Sequence, residues 1–100
     1  MTIEFRQISE TSIELSLVGR LDAITSPMLE KKLKKWVADA TDITLDFLNL
    51  NYISSMGLRV LLHAQKKMKE QNRKLVIKNM GDGVREIFEI TGFINIMTIE

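Results

Sequence analysis

The sequence predicts an α/β domain: a mixed, largely parallel sheet of four to five strands with helices on one face. Three observations carry that prediction. Segments of strict apolar and polar alternation take turns with segments of helical apolar spacing. The first two alternating segments are separated only by a short turn, so they pair as a hairpin. The strand faces opposite the apolar ones carry Glu14, Ser16, Thr44, Asp46, Lys74 and Lys78, which leaves only one face of the sheet for helices to cover.

Residues 3 to 8 and 12 to 18 flank "SET" and form the hairpin, with Ile13, Leu15 and Leu17 facing one way and Glu14 and Ser16 the other. "GRLDAITSP" breaks the alternation, and Ser26 before Pro27 reads as an N-cap followed by the first helical residue. Leu29, Leu33, Trp36, Val37 and Ala40 then recur as one stripe, so the first helix ends near Ala40. "DITLDF", residues 42 to 47, alternates again as the third strand. Beyond "LNLNYI", Leu58, Leu61, Leu62 and Met68 mark a second helix running to about Asn72. "KLVIKN" reads as a fourth strand and "MGDG" as a turn. Asp82 caps a third helix carrying Val84, Ile87 and Phe88, which Gly92 closes. "INIMTIE" supplies a short last strand. Strands alternating with helices in this order imply right-handed crossovers between parallel strands.

The chain has 100 residues, 45% hydrophobic and 27% charged, with one proline. These values fit a single domain over residues 1–100, with no linker or repeat. A balance of 14 Lys+Arg against 13 Asp+Glu gives no general pull on nucleic acid or anionic lipid, so neither direct nucleic-acid binding nor membrane association is expected. The absence of cysteine excludes disulfides and thiolate chemistry. No apolar run approaches the ~18 residues of a membrane span. "MTIEFRQISE" has no signal-peptide pattern, and a cytoplasmic protein is the expectation.

Catalytic chemistry finds little purchase. His63 is the one histidine. If Ser55 opens the second helix, the eight residues to His63 span about 12 Å of helix axis, beyond hydrogen-bond reach. No carboxylate cluster has calcium-loop spacing, and "GDG" lacks the rest of a phosphate loop. No cofactor is implied, and the chain does not read as an enzyme. The basic stretches "EKKLKKW" and "KKMKEQNRK" read as solvated helix faces, with Lys31, Lys34 and Lys35 outward. Met56 and Met68 read as packing residues. Asp22 reads as a turn carboxylate.

"NYISSMGLRV", residues 51 to 60, is the feature that composition does not absorb. Ser54 and Ser55 can each cap the second helix. Gly57 sits in the first turn, where glycine lowers helix propensity but permits close approach of another group.

With these segments in hand, the chain resembles a STAS domain of the bacterial anti-sigma factor antagonist family. "GRLDAITSP" resembles the family's Gly-x-Leu-Asp loop, "LDFLNLNYISSMGLRVLL" its signature and "VREIFEITGF" its third-helix region. The resemblance implies a STAS-like sheet with helices on one face. It also implies partner switching: an antagonist binds an anti-sigma factor that is a serine kinase, phosphorylation of the antagonist breaks the complex, and a serine phosphatase restores it. Aligned on Gly57 and Leu58, the phosphoacceptor falls at Ser55. Ser54 stands where many members have aspartate, and Met56 where they have serine, threonine or alanine. Arg20 and Asp22 fall in the loop that joins the start of the second helix in the partner surface. The implied partner-binding set is therefore Arg20, Asp22, Ser54, Ser55, Met56, Gly57 and Arg59. A STAS module that binds another regulator or ligand without phosphorylation is the alternative.

Overall fold

The computed structural model describes residues 1–39 and 42–100. The elements run β1 (Thr2–Ser9), β2 (Ser12–Leu21), α1 (Ser26–Ala38), β3 (Asp42–Asp46), β4 (Leu50–Ile53), α2 (Ser55–Glu70), β5 (Leu75–Lys78), α3 (Asp82–Thr91), a 3₁₀ turn (Phe93–Asn95) and β6 (Thr98–Ile99). The sheet order is β1-β2-β3-β5-β6, with β4 paired to β2 off that path. Among the described residues, the β1–β2 pairing alone is antiparallel and the other pairs are parallel.

The sheet has six strands, and the one beyond the expected four to five is β4. Its burial explains why alternation missed it: Leu50 and Ile53 are buried while Asn51 and Tyr52 between them are exposed. A register shift between Gly19 and Arg20 produces that pattern, since a strand paired across an irregularity loses its period of two. β2 is also longer than residues 12 to 18. Its first half, Ser12 to Ser16, pairs with β3, and Gly19 to Leu21 pair with β4. Gly19 makes the connection at φ +106°, a conformation that costs glycine little.

Three local expectations change. Thr25, not Ser26, is the N-cap of α1; Ser26 is buried and donates its hydroxyl to the Asp22 carbonyl instead. Gly81, not Asp82, holds the N-cap position of α3 and makes no side-chain cap bond. The last strand is only Thr98–Ile99, because Phe93–Asn95 turn as 3₁₀ helix. The expected end of the first helix at Ala40 lies outside the described residues. Gly92 closes α3 in the left-handed conformation at φ 79°, as its sequence position implied. α2 stops at Glu70, and Asn72 turns the chain at φ 57°.

One face of the sheet makes the core. Ile13, Leu15, Leu17, Ile43, Leu45, Leu75 and Ile77 are at most 1% exposed and meet Leu29 and Leu33 of α1, Leu61 and Met68 of α2, and Phe88 of α3 in one cluster. Each such side chain contributes roughly 1.5–3 kcal/mol by leaving water. Phe47 and Phe93 pack edge-on against Phe88 at 6.3 and 6.4 Å between centroids, a favoured aromatic geometry.

The other face has no helix and is polar. Glu14, 8% exposed, is held by Lys78 at 2.6 Å and Arg6 at 3.4 Å. The hydrogen bond to Glu14 raises the Lys78 ammonium above its ordinary pKa. Desolvation pushes the Asp46 carboxyl up, but hydrogen bonds from Asn79 and the Leu48 amide outweigh it and leave the pKa lowered. Glu14, the buried charge of this face, is therefore partnered, as burial demands.

Candidate functional site

The parallel pairing of β2 with β4 ends at Leu21 opposite Ile53, so the segments that leave these strands start side by side. The Ser54 amide donates to the Leu21 carbonyl at 2.8 Å, which joins the start of α2 to the loop after β2. Arg20, Asp22, Ser54 and Ser55 are thereby brought to one end of the sheet.

The first segment, residues 22 to 25, is tied to itself. Asp22 Oδ1 accepts from the Ile24 and Thr25 amides at 3.0 and 3.1 Å. Thr25 Oγ1 accepts from the Asp22 amide at 2.9 Å and donates to the Arg20 carbonyl at 2.7 Å. The bond from the Thr25 amide is the main reason the Asp22 carboxyl lies below its ordinary pKa; burial opposes it, and the Ile24 amide, the Thr25 hydroxyl and the Arg20 charge assist. Asp22 is thus a carboxylate that organises its own loop. Arg20 was expected in that loop but lies on β2, paired with Tyr52. Its guanidinium lies 4.3 Å from the centre of the Tyr52 ring and 3.7 Å from Asp22 Oδ2, a cation–π and ionic pair that fixes its direction.

The second segment separates the two serines. Ser54 is the N-cap of α2, extended at φ −96° and ψ 172°, and its hydroxyl accepts from the Gly57 amide at 3.3 Å. Ser55 is the first helical residue and is exposed. Among the described residues its hydroxyl takes part in no side-chain hydrogen bond. The first turn holds no acidic residue, so the partial positive charge of the helix N-terminus is unopposed there. Arg59 is exposed one turn along, on the face that i, i+4 spacing shares with Ser55.

Two site residues behave differently from the expectation. Gly57 is buried, and a Cβ there would stand 2.8 Å from Leu21 Cγ and 3.0 Å from Ile53 Cγ1. The group that approaches Gly57 is the chain's own core, so the glycine seats α2 on the sheet and offers no side-chain surface to a partner. Met56 is 43% exposed and does not pack inward, unlike the fully buried Met68, because it points away from the α2 stripe of Leu58, Leu61 and Met68. His63 is exposed on α2.

Sequence reasoning overlooked Thr25 and Tyr52, and also the exposed apolar residues Ile24 and Met28, 84% and 49% exposed. A signal existed for Thr25: a threonine three residues after an aspartate has the spacing of reciprocal side-chain and backbone capping. Tyr52 had none, because its partner Arg20 is contributed by a strand pairing that alternation did not reveal.

The sequence and the fold have counterparts in known proteins. An anti-sigma-B factor antagonist of Staphylococcus aureus is 32% identical over 87 residues, covering 86% of this chain and 81% of its relative. Among solved structures, an anti-sigma factor antagonist from Mycobacterium paratuberculosis superposes with a TM-score of 0.86 at 21% identity, covering 98% of this chain and 83% of that one. The phosphorylated form of the Bacillus cell fate determinant SpoIIAA gives 0.78 at 16% identity, covering 99% and 91%. The STAS domain family matches residues 2–100, and the chain belongs to it.

Proposed function

We propose that this protein is an anti-sigma factor antagonist: a binding protein that docks on an anti-sigma factor through the end of the sheet formed by residues 20 to 25 and 52 to 59. The observation that carries the reading is Ser55, exposed at the first position of α2 beside the ordered loop of Asp22, in a chain whose relatives include anti-sigma-B factor antagonists. The role is one of binding in this reading, and the one histidine, His63, stands about 12 Å from Ser55 along α2, beyond hydrogen-bond reach.

Ser55 is the switch in this reading. A serine kinase activity of the anti-sigma partner phosphorylates it, and a serine phosphatase reverses the change. Phosphate brings about −1.5 to −2 charge and three acceptor oxygens. A helix N-terminus tolerates that charge, and Arg59 is placed to pair with it, so the domain stays folded. A docked partner does not tolerate it, because the dianion would have to be desolvated inside the interface. The test is a titration of the anti-sigma partner with Ser55→Ala and Ser55→Glu. Ser55→Ala is expected to bind whether or not kinase and ATP are present, and Ser55→Glu to bind weakly; equal affinities would remove Ser55 from the mechanism.

A second reading, a STAS module that binds another regulator without being phosphorylated, is favoured by Met56. It puts an exposed thioether next in sequence to Ser55, an apolar contact that needs no phosphate. Phosphoserine at position 55 in protein from the native cell supports the first reading, and its absence under all growth conditions the second.

A further inference from the structure

The two edges of the sheet are unequal. β6 ends one side with two residues, whereas β1 ends the other with eight, seven of them exposed. Phe5 and Ile8 on β1 are 50% and 51% exposed. The strand contains no proline or lysine, and its one irregularity lies between Gln7 and Ser9, so Thr2 to Gln7 remain regular. A long regular edge leaves a row of backbone N–H and C=O groups ready to pair with another strand.

The charges on β1 identify that strand. Two copies related by a two-fold axis perpendicular to the sheet pair β1 antiparallel with itself, and residues directly opposite one another share a face. The axis must then pass through a residue position. Through Phe5, it sets Glu4 against Arg6 of the second copy and Arg6 against Glu4 of the second copy. Through Glu4 or Arg6, it sets a charge against its own like. Opposite charges in facing positions stabilise a ladder and like charges disrupt it; centres at Ile3 or Gln7 set Glu4 against Thr2 or Arg6 against Ile8 and gain no ion pair, so the register through Phe5 is favoured. Glu4 has no ion pair within its own chain among the described residues, and the Arg6 side chain stays 68% exposed beyond its contact with Glu14. On the helix side, Phe5 lies opposite Leu15 and stacks on Trp36 at 5.0 Å. Its remaining exposed surface would meet Phe5 of the second copy.

We propose that this chain forms a dimer through β1, antiparallel and centred on Phe5, with one continuous sheet across both copies. The contact is isologous and uses up the long edge, so assembly stops at two. A seam one strand wide falls below the ~1,000 Å² that a stable interface should clear, so the dimer is a weak one that forms at high protein concentration.

Sedimentation equilibrium of the full chain from about 10 µM to 1 mM tests this. The wild type is expected to pass from monomer to dimer. Glu4→Arg sets arginines against arginines and Arg6→Glu sets glutamates against glutamates, so each alone should associate at least about tenfold more weakly. An equimolar mixture of the two restores opposite charges at both positions and should recover the dimer. Amide spectra check that both variants fold; if Arg6→Glu does not, because it leaves Glu14 without its arginine, Glu4→Arg alone decides. A wild type still monomeric at 1 mM would overturn the proposal and leave the edge to a strand of some other protein. A dimer that Glu4→Arg does not weaken, a mixture no better than its components, or species larger than a dimer would overturn it equally.

Discussion

The starts of α1 and α2 lie next to each other, follow parallel strands and were built from similar residues, yet they are opposites. Before α1, every polar side chain is committed inward: Asp22 to the Ile24 and Thr25 amides, Thr25 to the Arg20 carbonyl and Ser26 to the Asp22 carbonyl. At α2, Ser54 alone serves the backbone, through one 3.3 Å bond, and Ser55 is left exposed. The first start spends its polar side chains on its own backbone, and the second leaves one hydroxyl exposed. Because Ser54 has taken over the capping of α2, Ser55 is free of that task.

The comparison can be broken most forcefully at Gly57. Gly57→Ala pushes a methyl group to within 2.8 Å of Leu21 Cγ, and the overpacking should cost about 1–3 kcal/mol in urea denaturation. An unchanged midpoint would mean that α2 is not seated on Leu21. Next in size is Ser55→Glu, expected to weaken binding of the anti-sigma partner at least tenfold, about 1.4 kcal/mol, by calorimetric titration. Ser54→Ala should lower stability by about 1 kcal/mol in thermal unfolding, while Ser55→Ala should stay within about 0.5 kcal/mol of wild type. If the two alanine variants exchange values, the assignment of cap and switch is reversed.

The smallest effect is local and depends on pH. The folded pKa of Asp22 lies below its ordinary value of 3.8, so the unfolded loop binds the proton first. The stabilisation is full above that value and lost as pH falls through the lower folded one. Exchange protection of the Ile24 and Thr25 amides should accordingly fade below about pH 4, with the Ser54 amide unaffected because its acceptor is the Leu21 carbonyl. Asp22→Ala should abolish that pH dependence and weaken binding modestly, with the circular-dichroism spectrum of the domain retained.

Much of this was legible in the sequence wherever a residue's neighbours follow from local period. Ile13, Leu15 and Leu17 alternate because one face of β2 is buried, and the α2 stripe shows because one side of a helix is. Legibility ended where long-range pairing decides. β4 escaped because its bent register destroys alternation. The cap of α1 shifted from Ser26 to Thr25 because the loop closes on Asp22 before the helix begins. Gly57 was read as space for a visitor, since a sequence shows that a Cβ is missing but not which group fills its place. Ser55 was singled out from Ser54 by the resemblance, and the geometry adds that Ser54 makes the capping bond.

The hydrogen bond from the Ser54 amide to Leu21 has a consequence for the switch as well as for the fold. It anchors the residue before Ser55 to the end of β2, and Gly57 seats the following turn against the same leucine. In the proposed reading, a phosphate on Ser55 would therefore meet a helix start already fastened on both sides and would act through its own charge and bulk rather than by moving the domain.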